Sequence, residues 1–292
     1  MLALVPSEPS DGTSVNLRPT REAIVTWNTR SPCGDIELRL GAYDGRTSAW
    51  LPYVRFDPSA RRSFESQDTF VRIDTDVIRA DVDLVSVAIR STLPFDALFV
   101  STPRYGVRSA GLELPAVELA VAPYSQYDAR YRSERGWCAP ASLAMLLAYH
   151  GYSIDVPAVA REVFDGRYGG TGNWAFNMAF AGTLGLRAAV VYLRDLAHAH
   201  AFLIAGIPLA LSIAWAPGEL SGAPLLASNG HLVALRGIAQ DGTALVNDPA
   251  RPGVAHAYAR SEFERAWLSH GGIAFAVVPA QRTGTLLRLA NA

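Results

Sequence analysis

The sequence lacks lysine, because all 26 of its basic residues are arginine, and they are balanced by 27 acidic residues. The formal net charge at pH 7 is −1, and no run of like charge occurs along the 292 residues. Proteins that bind nucleic acid or anionic membranes carry clustered basic residues. The charge pattern therefore argues against nucleic acid or an anionic membrane surface as a partner.

Long apolar runs and cysteines are also scarce. The most apolar window, 201–216, contains Gly206 and Pro208 and is shorter than the ~18 residues of a membrane span. The two cysteines, Cys33 and Cys138, lie far apart, which argues against a disulfide framework. The N-terminus has neither the basic region nor the apolar core of a signal peptide. We therefore expect no membrane span and a cytoplasmic location by default, with export open if the start is truncated.

The length and the patterning predict two domains, at roughly 150 residues each. Short alternating or β-branched runs separated by turn signals fill residues 22–103, a pattern typical of an antiparallel β-sandwich. Farther along, helix candidates come first and strand candidates later, which indicates an α+β domain. The predicted division is a flexible lead-in over 1–20, a β-sandwich accessory domain over 21–118 and an α+β domain over 119–292.

Individual elements can be placed more closely in the second half. The predicted helices begin at Cys138, Asp155, Asn173, Asp195 and Ser261. The predicted strands are 186–193, 207–215, 231–236, 243–247 and 273–278. In the first half, Asp74 and Asp76 alternate on a predicted strand, and we expect both to face solvent.

A cysteine stands at the start of a predicted buried helix, within Gly136-Trp-Cys-Ala-Pro-Ala-Ser142. Pro140 suits a first helical turn, an apolar series follows over 143–149, and Gly151 is a suitable stop. The positive end of a helix dipole lowers a thiol pKa and favours the reactive thiolate. Cys138 is therefore a candidate nucleophile, although small apolar surroundings more often mean an inert buried thiol.

A nucleophilic cysteine needs a base, and the base needs a group that orients it. His231 opens one predicted strand and Asp248 closes the next. A hairpin with Gly237 opposite Gly242 sets His231 opposite Asp248. A tight turn at Asp241-Gly242 would instead move Asp248 four positions along, roughly 13 Å, so the hypothesis predicts a longer loop. Alternatively, His231 is a strand-end histidine and Asp248 a turn residue before proline.

Five short motifs follow one another in a fixed order: Tyr124-Ser-Gln-Tyr-Asp128, Gly136-Trp-Cys-Ala-Pro-Ala-Ser142, Gly172-Asn-Trp-Ala-Phe-Asn177, Gly230-His-Leu-Val233 and Asn247-Asp-Pro249. In this order they resemble the bacteriocin-processing-type (C39-like) cysteine peptidase family, over roughly 123–279. The resemblance implies a papain-like peptidase domain and a thiol-dependent hydrolase that cleaves amide or peptide bonds. It implies no cofactor and no metal ion.

The resemblance also implies a role for each matched residue. Cys138 is the implied nucleophile, His231 the base and acid, and Asp248 the residue that orients the base. Gln126 is the implied oxyanion-hole side chain, beside the backbone N–H of Cys138. The departures from the family pattern are Ala139, where a glycine is usual, and the 12 residues that separate Gln126 from the cysteine.

Three further residues are expected to contact substrate, namely Asn173, Trp174 and Trp137. For Trp174 a place in the core is an equal alternative, and Gln126 is alternatively an exposed loop amide. The implied partner is a peptide or protein substrate.

The first half, which contains Val25-Thr-Trp-Asn28 and Ile73-Asp-Thr-Asp76, resembles the β-sandwich domain that precedes the peptidase domain in many bacterial members. A β-sandwich of this kind suggests a glycan or protein ligand. Two alternatives to peptide hydrolysis remain open at the sequence level. One is acyl transfer or amide hydrolysis on a non-protein substrate, and the other is a catalytically silent binding protein that uses the β-sandwich.

Overall fold

The computed structural model describes residues 1–5, 13–31, 33–103, 114–127 and 136–292. Within these ranges the chain is a mixed α/β protein with two antiparallel sheets and six helices. The strands are β1 (Leu2–Val5), β2 (Thr13–Asn28), β3 (Gly34–Ala42), β4 (Leu51–Phe56), β5 (Arg62–Ser63), β6 (Ser66–Asp68), β7 (Val71–Asp74), β8 (Val77–Ser91), β9 (Ala97–Ser101), β10 (Val117–Glu118), β11 (Leu186–Tyr192), β12 (Leu209–Trp215), β13 (Ser228–Ile238), β14 (Ala244–Asn247), β15 (Ala255–Tyr258) and β16 (Ile273–Pro279). The helices are α1 (Cys138–Tyr149), α2 (Val156–Val163), α3 (Trp174–Thr183), α4 (Leu196–Ile204), α5 (Arg260–Leu268) and α6 (Thr283–Ala290).

The chain forms two compact units. Unit 1 is made of Met1–Pro103, Glu162–Val190 and Pro279–Thr283, and unit 2 of Arg104–Arg161, Val191–Val278 and Gly284–Ala292. The predicted helices at Cys138, Asp155, Asn173, Asp195 and Ser261 are confirmed, each starting within one residue of the predicted position. Helix α6 was not predicted. The predicted domain division at residue 118 and the sandwich packing stay predictions.

Unit 1 is built on an antiparallel sheet. Its strands follow one another in the order β1-β9-β2-β8-β3-β4-β5, and β7 pairs with β8 and β6. Its core contains Trp27, which contacts Phe56 edge to face at 5.7 Å between ring centroids and Phe176 at 6.0 Å. Phe176 lies on α3, so this helix covers the apolar face of the sheet. Large aromatic side chains of this kind supply much of the burial that stabilises a core.

Asn28 ties the 162–190 segment to the unit 1 strands. Its side-chain amide donates to the carbonyls of Met178 and Ala188 at 3.2 and 3.0 Å, and its Oδ1 accepts the N–H of Ala188 at 3.0 Å. Gly182 permits the close approach, because a Cβ there would lie 2.5 Å from the Asn28 Cα. Since buried polar groups need hydrogen-bond partners, these bonds fix the position of the 162–190 segment on the strands.

Two expectations for the first half were wrong. Leu2–Val5 pairs with β9 and Thr13 begins β2, so the described part of the flexible lead-in is strand. Asp76 does not face solvent: it is 6% exposed, and its carboxylate accepts the N–H of Trp174 at the start of α3. Burial raises its pKa to about 7, against the lowering effect of the helix N–H groups. A helix N-terminus attracts a carboxylate even in a buried place.

Unit 2 holds the candidate site and is organised around α1. Its strands run in the order β16-β12-β13-β14-β15, and β10 pairs with β13. Residues Ala139 to Leu147 of α1 are all buried, so the helix is enclosed on every side rather than on one apolar face. Gly151 ends the helix at φ +90°, and the next N–H returns to the carbonyl of Leu147. Among the described residues no helix is long and apolar enough to cross a membrane.

Candidate active site

Cys138 is the first residue of α1. Trp137 precedes the helix in a non-helical conformation, and its carbonyl accepts the first helical N–H, from Ala141, at 3.0 Å. Cys138 is half-buried, whereas the nine residues after it are buried. The helix is therefore anchored in the core, and its first side chain lies at the boundary of the core, where the free N–H groups and the dipole favour an anion.

His231 lies on β13, a central strand of the sheet. Its strand position pairs with Ile213 of β12, and the side chain is 3% exposed. The Trp215 ring packs against the imidazole at 5.8 Å between centroids and 77°. Ser142 of α1 donates to the carbonyl of Leu232 at 3.0 Å, which ties the helix to the strand next to the histidine. These contacts fix the imidazole relative to the start of α1.

The structure brings Cys138, His231 and Asp248 close to one another. The imidazole Nε2 lies 2.7 Å from Asp248 Oδ1, and the thiol lies near enough to the same imidazole for each of the two groups to shift the pKa of the other. Because Asp248 occupies Nε2, Nδ1 is the nitrogen left for the thiol. The carboxylate is fully buried and also accepts the N–H of Ala250 and the hydroxyl of Tyr258.

The strand register that links the pair differs from the predicted one. Asn247 pairs with Ala234, so Asp248 lies level with Val233 rather than with His231. The turn is a short one, closed by a hydrogen bond from Ala239 N to Thr243 O, and an irregularity follows Leu235. The predicted register was therefore wrong, whereas the loop, with three residues between Ala239 and Thr243, is longer than the two-residue tight turn, as predicted. A diagonal neighbour on the same face is near enough for a carboxylate and a long imidazole to meet.

Burial and the contacts among the three groups shift the pKa of each group in opposite directions. Burial would raise the pKa of the Cys138 thiol, but the hydrogen bond and charge of His231 outweigh it and bring the pKa below its usual value. Burial also opposes protonation of His231, yet its contacts with Asp248 and Cys138 raise its pKa to about 10. For Asp248 burial is again outweighed, mainly by His231, and the pKa is lowered. Near neutral pH the arrangement favours a thiolate, an imidazolium and a carboxylate.

Gln126 lies next to Pro249, the residue that follows Asp248. Its backbone N–H donates to the carbonyl of Pro249 at 2.9 Å, and its side chain is 4% exposed. The side-chain Oε1 is buried and has no hydrogen-bond partner among the residues that the structure describes. The exposed-loop alternative is therefore wrong for Gln126. Part of the segment between it and the cysteine, 128–135, lies outside the described residues.

The three predicted substrate-contacting residues fall in different places. Trp137 is half-buried directly before Cys138 in unit 2. Asn173 and Trp174 belong to unit 1, where Asn173 is fully buried, caps α3 through Phe176 N and donates to Asp165. Trp174 is half-buried. Their contact with a substrate stays a prediction.

Sequence reasoning missed three residues around the site, namely Ser142, Trp215 and Tyr258. Ser142 is part of a quoted motif, so its place one turn after Cys138 was available as a signal. Trp215 ends a predicted strand, but its contact with the imidazole depends on sheet pairing. Tyr258 lies ten residues beyond Asp248, and no sequence pattern links the two.

A protein-family model described as the Peptidase_C39 like family matches residues 118–275, more than half of the chain. This chain belongs to the Peptidase_C39 like family. Membership supports a peptidase and suggests cysteine peptidase activity. The matched range contains Cys138, His231, Asp248 and Gln126, so all four candidate residues lie in the C39-like part of the chain.

Other comparisons add little to the C39-like assignment. A crystal structure from Bacillus anthracis, named provisionally as a C39-like peptidase, is 20% identical over 56% of this chain and 98% of the other, with a TM-score of 0.43. No curated protein matches the chain significantly.

Proposed function

We propose that this C39-like protein is a cysteine peptidase that cleaves peptide bonds through Cys138, His231 and Asp248. The observation that carries the proposal is the position of His231, whose imidazole Nε2 lies 2.7 Å from Asp248 Oδ1 and which lowers the pKa of the Cys138 thiol. A nucleophile, a base and a group that orients the base are the elements of this kind of catalysis. An inert buried thiol has no need of either partner.

The reaction follows from the charges of the site. The Cys138 thiolate attacks the substrate carbonyl, a C–S bond forms, and the carbonyl electrons move to oxygen. The Cys138 N–H and the Gln126 amide hold this oxyanion, and one such donor contributes about 2.7–4 kcal/mol in other enzymes. The intermediate collapses, the C–N bond breaks, and the His231 imidazolium gives its proton to the leaving amine. His231 then takes a proton from water, whose hydroxide releases the acid product and the thiolate, and the imidazolium is restored.

The finer architecture is part of the same proposal. Residues 119–292 form the papain-like peptidase domain, supported by a cysteine at the start of a buried helix and a histidine on an antiparallel sheet. Residues 21–118 form the β-sandwich accessory domain, supported by their antiparallel strands. Trp137, directly before Cys138, contacts the peptide substrate. The family match begins at residue 118, so it gives no support for a ligand that binds the strands before that residue.

The first test is alkylation with iodoacetamide at pH 6, followed residue by residue by peptide mapping. Cys33 is exposed and serves as an internal control in the same sample. We expect Cys138 to react much faster than Cys33 in the wild type, because its thiol pKa is lowered. In His231→Ala the advantage of Cys138 should disappear. Equal, slow labelling of both cysteines in the wild type would overturn the proposal.

A second test separates hydrolysis from its alternatives. The wild type and Cys138→Ala are incubated with a mixed-sequence fluorogenic peptide library, with and without hydroxylamine as a competing nucleophile. Cleavage to free acids that depends on Cys138 supports the peptidase. Products that form only as hydroxamates indicate acyl transfer, and fast alkylation without any turnover indicates a reactive thiol that binds but does not process peptides.

A further inference from the structure

The carboxylate of Asp248 is held by three donors, two of which, the Ala250 N–H and the Tyr258 hydroxyl, come from outside the proposed triad. Its Oδ1 faces His231 Nε2 at 2.7 Å and accepts the N–H of Ala250 at 3.0 Å. Its Oδ2 accepts the hydroxyl of Tyr258 at 2.7 Å. A fully buried carboxylate is stable only when its lone pairs are satisfied. Tyr258 is the partner that satisfies the oxygen turned away from His231.

The Tyr258 ring is held as firmly as the carboxylate. The side chain is 1% exposed, and it stacks on Phe263 of α5 with 5.8 Å between ring centroids and 8° between planes. His256 contacts the ring from the edge at 4.5 Å. Because the ring is held on two sides, the hydroxyl is pre-organised to donate to Asp248.

We infer that Tyr258 is a positioning residue of this site: its hydroxyl holds the Asp248 carboxylate ionised and turned so that Oδ1 faces the His231 imidazole. The inference rests on the proposed function. Without the Tyr258 hydroxyl, Oδ2 is a buried, unsatisfied acceptor, and the carboxylate is free to rotate or to take up a proton. Either event weakens the support for the His231 imidazolium and therefore the Cys138 thiolate.

The electrostatics agree with this geometry. The hydrogen bond from Tyr258 is one of the contacts that lower the pKa of Asp248, after burial, which raises it, and His231, which lowers it. Burial and the neighbouring charge of Asp248 raise the pKa of Tyr258 itself well above its usual value. The phenol therefore stays neutral, and remains a donor, at every pH at which the site works.

The test is the pH profile of Cys138 alkylation by iodoacetamide in the wild type and in Tyr258→Phe, which keeps the ring and removes the hydroxyl. A hydrogen bond to a charged group is strong enough to change the rate about tenfold when it is lost. We expect labelling of Cys138 at pH 6 to fall about tenfold in the variant and its acid limb to move up by about one pH unit. Labelling of Cys33 should not change.

A matched control is Tyr53→Phe. Tyr53 is also a fully buried tyrosine, and its hydroxyl donates to the carbonyls of Val25 and Asp76 in unit 1. This variant loses buried hydrogen bonds without touching the triad, so the Cys138 profile should match that of the wild type. A shift of the same size in Tyr53→Phe would mean that general destabilisation causes the effect, and would overturn the inference.

The outcomes for Tyr258 and for the proposed function differ. If wild-type Cys138 labels no faster than Cys33, the proposed function fails and the inference fails with it. If His231→Ala abolishes fast labelling but Tyr258→Phe keeps the wild-type profile, the function stands and the role of Tyr258 is overturned.

A second variant covers the case in which Tyr258→Phe does not fold. Site-specific replacement of Tyr258 by 3-fluorotyrosine keeps the ring and makes the hydroxyl a stronger donor, so the acid limb should move to lower pH. An unchanged limb in that variant would overturn the inference.

Discussion

Asp248 meets His231 from a diagonal position of the β13–β14 hairpin. The strand pairing sets Asn247 beside Ala234, two residues short of the register that would place the two groups level, yet Oδ1 and Nε2 are 2.7 Å apart. Because side chains at alternate positions share one face of a strand, a shift of two residues keeps Asp248 on the face of His231. A shift of one residue would have sent it to the other face.

The contact between Asp248 and His231 should control the reactivity of Cys138. Asp248→Asn keeps the shape of the side chain but removes the charge that supports the imidazolium. We expect Cys138 alkylation at pH 6 to fall about tenfold or more, since each unit of thiol pKa is a factor of ten. Asp241→Asn, in the exposed turn of the same hairpin, is the control and should label like the wild type. Equal rates in all three proteins would remove Asp248 from the mechanism.

The pH dependence of stability should reveal the ion pair. His231 has a raised pKa, so its contribution is complete below its ordinary 6.5 and is lost as pH rises through about 10. Cys138 has a lowered pKa, so its contribution is complete above its ordinary 9.0 and is lost as pH falls through the lowered value. The two trends offset each other above both pH 6.5 and the lowered thiol pKa, up to about pH 9, and the pair's contribution should be level there.

Urea unfolding at several pH values tests this expectation. The wild type should show a level region that ends at about pH 9, and the pair's contribution should fall on either side of it. In Cys138→Ala only the histidine term remains, so the free energy of unfolding should fall steadily from about pH 6.5 upward. Parallel curves for the two proteins would show that no thiolate–imidazolium pair exists in the folded state.

Gln126 can be tested by separating alkylation from turnover. Alkylation needs the thiolate but forms no oxyanion, whereas peptide cleavage forms one. Gln126→Ala should therefore keep the Cys138 labelling rate and lower kcat by about 10²–10³, the usual effect of one oxyanion donor. Gln126→Glu, which keeps the size but brings a negative charge, should also be inactive in cleavage. Full turnover in Gln126→Ala would exclude the oxyanion role.

Gly237 should be needed for the pairing of β10 with β13. A Cβ at this position would lie 2.5 Å from the carbonyl oxygen of Val117 and 3.0 Å from the Cα of Glu118. Because both neighbours are backbone, Gly237→Ala should lower the free energy of unfolding by about 2 kcal/mol or more. Gly253→Ala, whose added Cβ meets nothing within 4 Å, is the control and should change stability by less than about 0.5 kcal/mol. Similar urea midpoints for the two variants would contradict the steric argument.

Most elements of the fold could be predicted because their signals are local. The helix at Cys138 carries a proline in its first turn and a glycine after its end, and Asp195 caps α4 by accepting the N–H of His198. Contacts between residues that lie far apart in the sequence could not be predicted. Asp76 looked like a solvent-facing strand residue because the helix that it caps begins almost a hundred residues later in the chain.

In the candidate site too, the residues could be predicted from the sequence, but some of their contacts could not. The residue types and their order identified Cys138, His231, Asp248 and Gln126 as candidates, since each falls in a local motif. The hairpin register was wrong because an irregularity after Leu235 and the exact length of the turn have no clear sequence signal. Tyr258 was missed because its strand position pairs with Ala244, four residues before Asp248, and only the long phenol reaches the carboxylate.

Local patterns in the chain specify which chemistry is available: a cysteine at a helix start, a histidine and an aspartate in neighbouring strand motifs, and the order of motifs that marks a C39-like chain. Helix starts and strand faces follow from neighbouring residues, so a linear chain can specify them. Which of these groups touch depends on the packing of distant segments. Burial and a diagonal strand register set His231 between the thiol and the carboxylate, and the packing of Tyr258 on Phe263 placed a third donor on Asp248.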